Sequence, residues 1–163
     1  MNTIFRPDML KFLLIFILLL AYAPFALAQD ATQANKAVGE IPPIYLVAKQ
    51  GNLSVVRSLI ASGSDVNTAN ASGRSALMSA VFFRNRGIVR ELLTEGANVN
   101  SVDAQGRTAL MIAVVTKDMK MIDLLLGSGA DVTIEDKTKN TAITLAEKTR
   151  NKKLLKLLEN SAS

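Results

Sequence analysis

The chain of 163 residues contains no cysteine and no histidine. Without cysteine there is no disulfide, no thiolate metal site and no cysteine nucleophile. Without histidine, zinc sites of the usual kinds and every histidine-based catalytic triad are excluded. Neither a glycine-rich phosphate loop nor a nucleophile–base pair is present, and the carboxylates Glu91, Glu95, Asp118 and Asp123 are scattered rather than paired. The expectation is a chain that is not an enzyme and holds no cofactor and no metal.

Long apolar runs are absent except at the start, where Leu10 to Leu27 is nearly all apolar. Arg6 and Lys11 give it a positive flank, Phe12 to Ala23 is uninterrupted, Pro24 breaks it, and Ala26-Leu27-Ala28 has the small-x-small pattern of a signal peptidase site. A spanning helix needs about 20 apolar residues. The segment 1–28 is therefore expected to be a signal peptide, with an uncleaved anchor as the alternative. The chain is then exported: periplasmic in a Gram-negative host, otherwise secreted, with no stable membrane span after cleavage. Removing Arg6, Lys11 and Asp8 lowers the net charge of +5 by one, so the mature chain stays basic. Residues 29–41 are polar and small, and read as a flexible lead-in.

The rest is a repeat. Ser75 to Asn100 returns as Thr108 to Thr133, with weaker copies before and after. Aligned at this spacing, Pro42, Ser75, Thr108 and Thr141 fall together, as do Val47, Ala80, Ala113 and Ala146. So do Val55, Ile88, Met121 and Leu154, and Leu59, Leu92, Leu125 and Leu158. Ser75, Thr108 and Thr141 can cap a short first helix through their hydroxyls. A second helix carries one wide apolar stripe, such as Ile88, Val89, Leu92 and Leu93. Gly63, Gly96 and Gly129 suit its left-handed stop, and Ser72-Gly73 and Gln105-Gly106 suit tight turns. Such a unit cannot bury its stripe alone, so the copies must stack. The end copies are atypical: the first has Pro42 at the capping position and no turn signal before it, while the last has Lys139 in the glycine position and Glu159 where Leu93 and Leu126 stand.

At these residues the chain resembles the ankyrin repeat family, whose thirty-three-residue period and Thr-Pro-Leu-His-x-Ala signature are well known. The signature stands here as Pro42 to Val47, Ser75 to Ala80, Thr108 to Ala113 and Thr141 to Ala146. A tetratricopeptide array has a period one residue longer and lacks the turn signature. The resemblance implies an all-α repeat solenoid with β-turn or hairpin tips. Its domain spans 42–160, in four repeats at about 38–70, 71–103, 104–136 and 137–160. The signature histidine is replaced by Tyr45, Met78, Met111 and Thr144. The glycine that ends the first helix survives only as Gly51; Arg84, Lys117 and Arg150 replace it, which leaves the length of those helices open.

The resemblance also implies a protein-binding scaffold whose contacts lie at the turn tips and on the exposed end of the first helix. Carried over by position, the tip residues are Ala71, Ser72 and Arg74 with Ala104, Gln105 and Arg107. The helix residues are Lys49 and Gln50, Phe82 and Phe83, Val115 and Thr116, and Lys148 and Thr149. Adjacent helix residues point about 100° apart, so Phe82 and Phe83 cannot both be buried, and exposed aromatics mark a contact. Arg84, Arg86 and Arg90 form a basic edge beside them that would steer an acidic protein partner. Exported bacterial proteins of this family suggest a co-exported enzyme or a toxin as that partner, held by a monomer. The alternative is envelope or membrane-surface association through the basic cluster Lys148, Arg150, Lys152, Lys153 and Lys156. That cluster has no interleaved aromatic, so nucleic acid is not expected. Mass analysis of the protein recovered from its host should show a chain beginning at Gln29; retention of Met1 to Ala28 would identify an anchor.

Overall fold

A computed structural model describes residues 43–161. The expected signal peptide, the lead-in and Pro42 lie outside the described residues. Within them, eight helices fall into four pairs. These are α1 (Pro43–Gln50) with α2 (Leu53–Ala61), α3 (Ala76–Phe82) with α4 (Arg86–Thr94), α5 (Ala109–Val115) with α6 (Met119–Gly127), and α7 (Ala142–Lys148) with α8 (Lys152–Ser161). The described residues include no strand, only an isolated bridge between Ala69 and Ser75 at one tip. The architecture is the all-α repeat solenoid.

The helix starts are fixed locally. Ser75 Oγ, Thr108 Oγ1 and Thr141 Oγ1 accept the backbone N–H of Met78, Met111 and Thr144, each at 3.2 Å. In the last pair Thr144 Oγ1 also accepts from the Thr141 N–H at 2.9 Å, completing a capping box. The second helices have their own caps, which the sequence comparison did not single out. Asn52, Asp118 and Asn151 accept from Val55, Met121 and Leu154. Asn85 holds the same place in the second pair but does not cap; its amide donates to the Ala48 carbonyl at 2.8 Å, tying the second pair to the first.

Losing the helix-ending glycine moves the end of the first helices by no more than one residue. Arg84, Lys117 and Arg150 take φ of 59°, 55° and 56°, in the left-handed region, as Gly51 does at 83°. Asn85 N–H then reaches back to the Ala80 carbonyl at 2.8 Å, and Asp118 N–H to that of Ala113 at 3.2 Å. These bonds satisfy the last carbonyls of the helix. The chain accepts about 1 kcal/mol of backbone strain at each position to keep the stop in register.

Burial divides each pair into two faces. Toward the preceding pair lie Ala80, Ile88 and Leu92, then Ala113, Met121 and Leu125, then Ala146, Leu154 and Leu158, all buried. Toward the following pair lie Ala48 and Val56, Val81 and Val89, and Val114 and Ile122, also buried. The first pair has no described neighbour on its preceding side, so Val55, in register with Ile88, stays 39% exposed and Leu59 is only partly buried. The expected inner row is therefore closed from Leu92 onward, with Leu59 packed at its edge. The last pair has no described neighbour on the other side, and there Glu147 replaces the buried valines and is exposed. Met78 and Met111, in the signature histidine position, are buried, so that place serves packing here.

Polar bonds repeat alongside the core. Asn67 donates to the Gly96 carbonyl at 3.2 Å and accepts from Asn98 N–H at 2.7 Å. Asn100 does the same to Gly129 and Asp131, at 3.1 and 2.8 Å. At the tips, Ala104 N–H donates to the Ser72 carbonyl at 2.9 Å and Lys137 N–H to that of Gln105 at 2.8 Å. A Cβ on Gly73 would meet Ala104 N at 3.2 Å, and one on Gly106 would meet Asp136 Cα at 3.1 Å. Glycine there serves both a positive φ and the close approach of the next tip. Lys139, at φ 62°, holds the equivalent place where no described tip follows.

Two substitutions separate conformational strain from contact. Lys117 is exposed and Gly129 has open space around its missing Cβ. Lys117→Gly should stabilise the protein by about 0.5–1 kcal/mol and Gly129→Ala destabilise it by about 1 kcal/mol or more, read from urea unfolding.

Candidate partner-binding face

The ends of the first helices and the turn tips line one side of the stack. Phe82 and Phe83 close α3 there and are both exposed, at 50% and 43%; Val115 at the end of α5 is 62% exposed. The two rings meet edge to face, with centroids 5.1 Å apart and planes at 82°. Lys49 Nζ of the first pair stands 5.6 Å from the Phe83 centroid, a favourable cation–ring contact. Gln50 is exposed beside it, and Thr116 is half-buried with its hydroxyl donating to the Ala113 carbonyl. Lys49, Phe83, Phe82 and Val115 thus bring together residues from three consecutive pairs.

The tip residues are placed by their turns. Asn70, Asp103 and Asp136 open the tips, and each side chain accepts the N–H groups two and four residues on. Ser72 and Gln105 are exposed at the apices, and Arg74 and Arg107 leave them half-buried. Arg107 donates to Asp103 Oδ2 from Nε at 2.9 Å and from Nη2 at 2.7 Å, while Arg74 Nη2 stands 4.0 Å from the same oxygen. Burial acts to raise the Asp103 pKa, but the Arg107 side chain and the N–H groups of Arg107 and Gln105 outweigh it and hold it below 3.8.

The basic edge is engaged differently from its sequence expectation. Arg84 Nη2 donates to the Thr116 carbonyl at 2.9 Å, at the end of α5, where a cation is favoured. Arg86 Nη2 grips both oxygens of the buried Asp118, at 3.0 and 3.1 Å. Both arginines therefore link the second pair to the third, and their charges are partly committed to the stack. The second cluster, Lys148, Arg150, Lys152, Lys153 and Lys156, is exposed on the last pair. Over residues 43–136 the formal charges cancel, so the net positive charge of the described residues lies on that last repeat.

A small cleft was not anticipated. Phe82, Met111, Ile112, Val115 and Leu145 give it an apolar lining, to which Arg74, Arg107, Thr116 and Asp136 add polar groups. Ile112 and Leu145 share one repeat position, three residues before Val115 and Lys148; that apolar pair, one turn from the exposed helix end, was the available signal. Among the described residues no group of acidic side chains could hold a metal, and no helix is long and apolar enough to cross a membrane.

Asp103 makes the tips sensitive to acid. Its folded pKa lies below its unfolded value, so its contribution is complete above about pH 4 and is lost as pH falls through the lower folded value. Asp103→Asn keeps the turn, as Asn70 shows in the preceding tip. It should cost about 1 kcal/mol at pH 7 and flatten the loss of stability as the pH falls below about 4, measured by urea unfolding.

The model of the family described as Ankyrin repeats (3 copies) matches residues 7–103, 44–136 and 84–163. No curated protein matches the chain. The overlapping family matches agree with the stacked helix pairs, their tips and their shared cores, and the chain belongs to the ankyrin repeat family.

Proposed function

We propose that the protein is an exported binding scaffold that holds a protein partner on the side formed by the first-helix ends and the turn tips. Ankyrin repeats are generally protein–protein interaction scaffolds. The observation that carries the reading is the patch Phe82, Phe83 and Val115, exposed on helices whose other residues are buried. Exposed aromatics on a rigid support contribute large contact area at little conformational cost, which is why they dominate interfaces. Lys49 and Gln50 extend the patch on one side; Ser72, Arg74, Gln105 and Arg107 border it at the tips. Thr116, Arg84 and Arg86 complete the border, the two arginines also holding the next repeat in place. A co-exported enzyme or a toxin to be neutralised fits such a scaffold, which acts by holding and does no chemistry itself.

Capture from the host's own extract tests this. Phe82→Ala with Phe83→Ala should leave the thermal transition nearly unchanged, because both rings are largely outside the core, and should weaken retention of the captured protein more than about tenfold. Undiminished capture by the double variant would reject the patch as the contact.

A further inference from the structure

The cleft beside Phe82 has a volume of about 150 Å³. An apolar cavity of that size takes a benzene-sized group. Its lining also favours an aromatic occupant over an aliphatic one. That lining includes the ring of Phe82, the thioether side chain of Met111 and the planar cation of Arg74. Each of these gains from a π face that an aliphatic side chain does not present.

The lining also carries charge. Asp103 is a single buried carboxylate between two guanidinium groups, and the Arg107 side chain makes both of the bonds to its Oδ2. Arg74 stands 4.0 Å away, and its guanidinium makes no hydrogen bond among the described residues. Arg74 therefore brings a positive charge and unused donors to the lining of the cleft. Asp136, also in the lining, carries a negative charge but is occupied by its own turn. Its Oδ1 accepts the N–H groups of Thr138 and Asn140 and the Thr138 hydroxyl, and its Oδ2 accepts from the Asn140 amide.

We propose that this cleft receives a phenylalanine side chain of the protein partner, with a neighbouring aspartate or glutamate of the same segment paired to Arg74. The proposal rests on the reading above, that the partner lies on the first-helix ends and turn tips, and narrows it to one partner chemistry: an acidic segment that presents an aromatic ring. The guanidinium fork matches a carboxylate in two parallel bonds, and the ring buries the apolar floor.

The test uses methyl-labelled protein and three capped dipeptides, acetyl-Asp-Phe-amide, acetyl-Asp-Ala-amide and acetyl-Lys-Phe-amide, followed by NMR. The Asp-Phe peptide should move the methyl signals of Met111, Ile112, Val115 and Leu145 saturably, in the millimolar range of so small a ligand. The other two should bind at least tenfold more weakly. Arg74→Gln should abolish the preference for Asp-Phe over Lys-Phe while the same methyls still respond. Shifts located elsewhere, no shifts, or equal shifts with Asp-Ala would overturn the proposal. That failure, with capture still dependent on Phe82 and Phe83, would leave the scaffold reading standing. Peptide binding with capture indifferent to those rings would reject the scaffold contact instead.

Discussion

A pair of helices this short has apolar residues on two opposite faces and no second layer to cover either. Everything else follows from that constraint. Val81 and Val89 need the third pair, and Ile88 and Leu92 need the first; each pair is a core only for its neighbours. Burying a leucine or isoleucine contributes about 1.5–3 kcal/mol, opposed by the entropy of ordering the chain that carries it. Stability therefore belongs to the boundaries between repeats. The small side chains Ala80, Ala113 and Ala146 sit at those boundaries and permit the close approach.

The polar side chains maintain the same boundaries where apolar contact ends. Asn67 and Asn100 each satisfy a carbonyl and an N–H of the next repeat. Asn85 reaches Ala48, Arg84 reaches Thr116, and Arg86 reaches Asp118. Arg57 pairs with Glu91 at 2.8 Å between α2 and α4. These contacts fix register; the exposed Arg57–Glu91 pair adds little energy of its own. A register fixed in this way lets side chains at the free helix ends vary without disturbing the stack. Phe82 and Phe83 occupy such ends.

Some of this was legible in sequence because it is local. Ser75, Thr108 and Thr141 cap the next turn of chain, and Gly63, Gly96 and Gly129 end a helix within a few residues, so spacing alone locates them. Exposure of both Phe82 and Phe83 agrees with their neighbouring helical positions. The roles of Arg84 and Arg86 were not legible, because their partners lie a full repeat away. A sequence shows a basic edge whether the charges face a partner or the next repeat. The cleft between Phe82, Met111 and Leu145 is hidden for the same reason: its walls come from three pairs.

The amino-acid order alone determined the period, the starts of the first helices, the stops of the second, and the stacking, since each is a matter of hydrophobic spacing or short-range hydrogen bonding. Tertiary structure decided which face of each pair meets which neighbour, leaving Val55 exposed where Ile88 is buried. It also decided that Arg84, Lys117 and Arg150 adopt a backbone normally left to glycine. The physical reason is distance: a contact between repeats depends on side chains some thirty residues apart, and only the assembled stack brings them together.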